Sequence, residues 1–179
     1  TTRTENTWTF ANLEKGAGHS EFITMFNPNN ANLKVTATFF QSNGGASVTV
    51  TRDLGPSRRS GIAFLDFVGA DPAIASLADG TYGVVLTAAL PFVASITKYD
   101  SNARSAEGMI ANAGAGSLTG AIAEGELGLN GTDERLGVLN AGSTTATVIL
   151  SFIFSGGSTY RTSLSVPARS QRELVVGDL

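Results

Sequence analysis

The chain has 179 residues, no cysteine, one histidine and a net charge of −3 at neutral pH. That length suits one large domain or two small ones, and the lack of cysteine excludes a disulfide scaffold, a zinc–thiolate site and thiol catalysis. There is no basic excess to neutralise phosphates, which argues against nucleic acid as a partner, and no apolar stretch reaches the roughly 20 residues of a membrane helix.

Charged residues make up only 15 % of the chain, against about 25 % in an average domain. Thr, Ser, Asn, Ala and Gly take their place. This disfavours long exposed helices, which draw on Glu and Lys, and suits strands with a Thr/Ser-rich wet face. The same makeup points to an exported protein, extracellular or on the cell surface. The chain begins at Thr1, which reads as a mature or excised form.

Taken in order, the chain opens on a Thr-rich arm, Thr1, Thr2, Arg3, Thr4, Glu5, Asn6 and Thr7, leading into a strand near 7–12 with Trp8 and Phe10 on one face. Four strands follow near 21–27, 32–41, 46–54 and 59–67. In the second, Leu33, Val35, Ala37 and Phe39 alternate with Lys34, Thr36 and Thr38, the period of two of a half-buried strand; Phe40 then implies that its end is covered on both faces. Ser42-Asn43-Gly44-Gly45 makes a hairpin turn, since Asn and Gly tolerate positive φ. Asp71 and Pro72 cap and open one short helix near 71–78. Strands at 82–86 and 92–99 come next, divided by a turn at Pro91. Residues 101–120 read as a connector with an irregular strand. Four more strands lie near 134–140, 144–154, 158–166 and 171–177.

The last four strands repeat the earlier four. Adding 113 takes Glu21 to Glu134, Asn27 to Asn140, Val35 to Val148 and Phe39 to Phe152. After the hairpin an offset of 111 matches Pro56 to Pro167 and Arg58 to Arg169. The expectation is an all-β, β-sandwich or jelly-roll-like fold built by internal duplication. A first unit with its arm spans 1–104, and a connector with a shorter second unit spans 105–179, the two units fused into one sandwich or separate. The second unit has no counterpart of the helix and the two strands after it, so an edge or apolar face is left to cover. The arm, the 105–125 segment and another chain are the candidates.

The run from Glu21 through an apolar strand to Asn27, the Pro56-to-Arg58 turn, and the strand after Pro91 ending at Tyr99-Asp100 resembles a β-sandwich domain repeated in bacterial secreted surface proteins. More distantly, it resembles the sensory rhodopsin transducer fold. The resemblance covers about half the chain and the repeated part of the second unit. It implies a sandwich fold with a binding or scaffolding role and no catalysis.

The residues themselves offer no catalytic set. His19 is the single histidine, and its neighbours Ser20 and Glu21 point to opposite faces of a strand, so they cannot form a triad. Asp66, Asp71, Asp100, Glu107, Glu124 and Glu126 are scattered and not diagnostic of a glycosidase pair. Asn130 to Glu134 lacks the alternating acids of a calcium loop. No metal or cofactor is therefore expected. Glu21, Asn27, Arg58, Glu134, Asn140 and Arg169 read as residues that encode the repeated fold, with each Glu pairing the Arg of its own unit. Trp8, Tyr82, Tyr99 and Tyr160 are candidate platforms for a sugar ring. The expected function is a non-catalytic extracellular structural protein, a self-associating surface or filament subunit using strand complementation. The alternative is a carbohydrate-binding or adhesive module of a larger secreted protein, with polysaccharide as its partner.

Overall fold

The computed structural model describes residues 4–42, 44, 46–64, 71–101, 105–110, 112–114, 116–117, 119–120 and 134–178. The fold is all-β and antiparallel. The first unit holds β1 (Glu5–Lys15), β2 (His19–Phe26), β3 (Leu33–Gln41), β4 (Val48–Leu54), β5 (Arg59–Phe64), the short helix α1 (Pro72–Ala75), β6 (Gly80–Asp100), β7 (Ser105–Ile110) and β8 (Asn112–Ala113). The second holds β9 (Arg135–Asn140), β10 (Ala146–Ile153), β11 (Thr159–Val166) and β12 (Ser170–Val175).

The alternation read from the sequence sets the core. Leu33, Val35, Ala37 and Phe39 are all buried, as are Ile23 and Met25 of β2 and Ile62 and Phe64 of β5. Phe39 stacks on Phe64 across the sandwich, ring centroids 5.1 Å apart. Phe40, one step out of phase, is buried on the opposite face. In α1, Asp71 accepts from Ala73 N at 2.9 Å and from Arg52 Nη1 at 2.9 Å, which holds its carboxyl below the usual range.

β6 organises the first unit. The two strands expected at 82–86 and 92–99 are one strand of 21 residues. Its first half pairs with β1 and β3, and its second half with β2 and β7. The strand passes from one sheet to the other at Pro91. A missing N–H costs little there, because the ladder to β3 ends at Ala88 and the ladder to β2 begins at Val93. One sheet therefore runs β4-β3-β6-β1-β8 and the other β5-β2-β6-β7, with Tyr82, Val84, Leu86, Phe92, Ala94 and Ile96 of β6 buried between them.

The arm differs from expectation. Glu5, Asn6 and Thr7 already belong to β1: Glu5 and Thr7 pair with Phe92 and Thr87, and Asn6 Nδ2 donates to Ala89 O at 2.9 Å. The strand read at 7–12 thus extends both ways. Thr1, Thr2 and Arg3 lie outside the described residues, and Thr4 is exposed. In the region read as a connector, β7 pairs with β6 and β8 with β1, so both join the first unit's sheets.

In the second unit β9 pairs with β12 and β10 with β11. The repeat is real, but its second offset is corrected by the structure from 111 to 112. Leu33 pairs with Leu54, and Ala146 with Val166. Ser57 and Arg169 each hold a left-handed turn, with φ of 52° and 50°. Their N–H groups donate to Asn29 O and Gly142 O respectively. Arg169 therefore stands in the place of Ser57, not of Arg58, and a single residue is lost in the second hairpin.

Candidate assembly interface

β6 has no counterpart among the described residues of the second unit. In the first unit it is the common partner of β2 and β3. Among the described residues their copies, β9 and β10, have ladders only to β12 and β11, so the edges that face β6 in the first unit have no described strand partner. The consequence shows in burial. Val35, Ala37, Phe39 and Val50 are buried, while their copies Val148, Leu150, Phe152 and Thr162 are half-buried. An open edge beside a partly wet apolar face is the kind of surface to which a strand can be added through main-chain hydrogen bonds and alternate side-chain pockets.

The four aromatic platform residues separate. Trp8 is 4 % exposed, its Nε1 donating to Phe92 O at 2.9 Å. Tyr82 is 1 % exposed, its Oη donating to Ala78 O at 2.7 Å. Both are core residues with their polar tips satisfied, which removes them as platforms; Trp8 shares its inward face with Phe10. Tyr99 is exposed and packs edge-on against Phe22. Tyr160 is exposed and tilted against Phe152, on the side of the hairpin that corresponds to core in the first unit. Its counterpart by offset is Val48, which packs against the core. Tyr99 and Tyr160 lie on different sheets and form no joint platform.

The repeated Glu and Arg residues also separate. Glu21 is buried and pairs with Lys98, 3.3 Å from its Oε1, and not with Arg58, which is exposed. Arg169 is exposed as well. Glu134 sits half-buried ahead of β9, its carbonyl accepting from Val176 N at 2.8 Å. Asn27 and Asn140 each hold the turn that follows their strand.

A junction between the units was not legible beforehand. β1 bulges at Asn12 (φ 58°), where the ladder slips between Phe10 and Leu13. Asn12 N donates to Gln171 Oε1 at 2.7 Å, and Gln171 Nε2 donates to Asn12 Oδ1 at 3.0 Å. Lys98 Nζ donates to Asn12 O. Glu21 Oε1 also accepts from Glu14 N at 2.8 Å, while its Oε2 has no hydrogen-bond partner among the described residues. Burial pushes the Glu21 carboxyl up from 4.5 to about 7, with Lys98 pulling the other way. Glu14 in turn meets His19 Nδ1 at 3.1 Å and Arg135 Nη1 at 3.7 Å. Two glycines let the backbones close. A side chain at Gly83 would run into Leu139, and one at Gly137 into Asn12.

Among the described residues, no cluster of three or more His, Cys, Asp or Glu is placed to hold a metal ion, and no helix is long and apolar enough to cross a membrane. No protein-family model and no curated protein sequence matches the chain. Among solved structures, the chain is similar to the Thermotoga maritima protein 1070. The likeness has a TM-score of 0.52 and 16 % identity over 63 % of this chain and 97 % of that one. It is also similar to the Anabaena sensory rhodopsin transducer, with a TM-score of 0.43 and 16 % identity over 57 % of this chain and 94 % of that one. At this identity the Thermotoga maritima likeness shows a shared all-β fold, and it does not extend to the tandem domains of secreted surface proteins.

Proposed function

We propose that this chain is a non-catalytic structural protein of the cell exterior that self-associates, the groove between β9 and β10 accepting an extended strand from a neighbouring chain. One observation carries the reading: β2 and β3 share β6, and their copies have no such partner among the described residues. The exterior location is supported by the low charge and Thr/Ser/Asn-rich makeup.

The strand that fits is one patterned like β6. A synthetic peptide of residues 80–100, mixed with the intact protein, should slow amide exchange along the free edges of β9 and β10 and compete with self-association in light scattering. Unchanged exchange on both strands, with assembly unaffected, removes the groove as the point of association.

A further inference from the structure

The two units touch through one particular pair of surfaces; one of them, and the β3 part of the other, recur with exposed apolar residues elsewhere in the chain. On one side of the contact is the outer face of β9 and β12. It presents Gly137, Leu139 and Gln171 to the first unit. On the other side is the outer face of β1, β6 and β3. There Asn12 meets Gly137 and Gly83 lies beneath Leu139; Phe40, the cross-strand neighbour of Gly83, is buried beside it.

The repeat says where the other halves are. Moving Gly137 and Leu139 back by 113, and Gln171 back by 112, gives Thr24, Phe26 and Arg59 on the outer face of β2 and β5. That face is an open groove lined by Phe22, Thr24, Phe26, Arg59 and Gly61. Phe22 and Phe26 are 36 % and 37 % exposed. Moving Thr36 and Phe40 forward by 113 gives Ile149 and Ile153 on the outer face of β10, which are 62 % and 79 % exposed. Phe40 is buried, and its copy Ile153 is bare.

We infer that copies of this chain stack head to tail, the β2–β5 face of one copy docking on the outer β10 face of the next, in the arrangement that already joins the two units within a chain. The occupant of each bare face is a second copy because the counterparts of the two faces, the β9–β12 surface and the surface that includes β3, meet each other within the chain. Phe26 takes the role of Leu139, and Ile153 the role of Phe40. Apolar patches of this kind are an association surface. The contact is heterologous, so it leaves one face free at each end and propagates instead of closing. The inference rests on the self-associating reading above but uses a surface separate from the strand groove.

The test is a mixing experiment with Phe26→Lys and Ile153→Lys. Each variant keeps one of the two faces. Each alone should self-associate roughly a hundredfold more weakly than the parent, the order expected for loss of an interface anchor. With the 80–100 peptide added to occupy the groove, the equimolar mixture should form a discrete dimer and nothing larger by light scattering. Circular dichroism confirms folding; Phe22→Lys replaces Phe26→Lys if the latter unfolds. Variants that assemble as the parent does, or a mixture that stays monomeric, overturn the stacking contact. If such variants still assemble and the 80–100 peptide blocks them, the groove reading stands alone. If the variants are monomeric and the peptide has no effect on the parent, stacking stands and the groove falls. A parent chain that stays monomeric at high concentration overturns both.

Discussion

The side-chain amides of Asn27 and Asn140 donate to matching sets of three carbonyl oxygens. Asn27 Nδ2 reaches Ala31, Leu54 and Gly55 at 2.8, 3.1 and 3.1 Å. Asn140 Nδ2 reaches Thr144, Val166 and Pro167 at 2.8, 3.0 and 3.0 Å. Each Oδ1 accepts from the backbone two residues on, at Asn29 and Gly142. One side chain thus ties three chain segments together in each unit.

The two sites differ in their access to water. Asn27 is fully buried and Asn140 half-buried. Asn27→Ala strands buried carbonyls and should cost about 3 kcal/mol, whereas Asn140→Ala, with water able to replace the amide, should cost about 1 kcal/mol. Urea denaturation of both variants checks the ranking; equal losses would show that the half-open second unit excludes water as well as the first.

The Glu21 carboxyl gives stability a pH dependence with a definite sign. Burial raises it from 4.5 to about 7 in the folded protein. Between those values the folded state holds a proton that the unfolded chain has lost. Stability therefore falls as pH rises through that window and is flat above it, a change on the order of 3 kcal/mol. Thermal melts from pH 5 to 8 should show the decline, and Glu21→Gln should flatten it. A melting temperature that climbs from pH 5 to 7 in the parent chain would contradict the assignment.

Gly137 is expected to matter only because of Asn12. A methyl group there meets the Asn12 side chain, so Gly137→Ala should cost about 2 kcal/mol through overpacking and speed amide exchange in β9. In an Asn12→Gly background, which keeps the positive φ, the same substitution should be almost free. A cost that stays the same in both backgrounds would place its origin inside β9.

The repeated strands were legible because one face of each is less exposed than the other, which imposes a period of two on the sequence. β6 was read as two strands because Pro91 normally ends pairing. Here it sits where the strand changes sheets and no ladder needs its N–H. Pro56 and Arg58 drew the second offset to 111 by residue identity. The turn geometry at Ser57 and Arg169 sets it at 112, since conformation, not side-chain type, is what the duplication preserved. Trp8 was misread as a platform although it shares a face with Phe10; only the carbonyl of Phe92 explains how its indole N–H is satisfied in the core. The junction of Asn12, Gln171 and Lys98 joins residues far apart in sequence, and local pattern carries no trace of it.

The reach of β6 across both sheets has a consequence for biosynthesis. When residues 1–79 have left the ribosome, β1 to β5 exist, yet β2 and β3 each lack the neighbour they share, and Val84, Leu86, Phe92 and Ile96 are not yet there to fill the core. Contacts of long sequence separation form slowly because loop closure comes before their reward. Until residue 100 emerges, the nascent chain displays apolar faces and unpaired edges of the kind that recruit chaperones. The core of the first unit is therefore closed in one late step, when its longest strand arrives, with β7 and β8 added at the sheet edges afterwards.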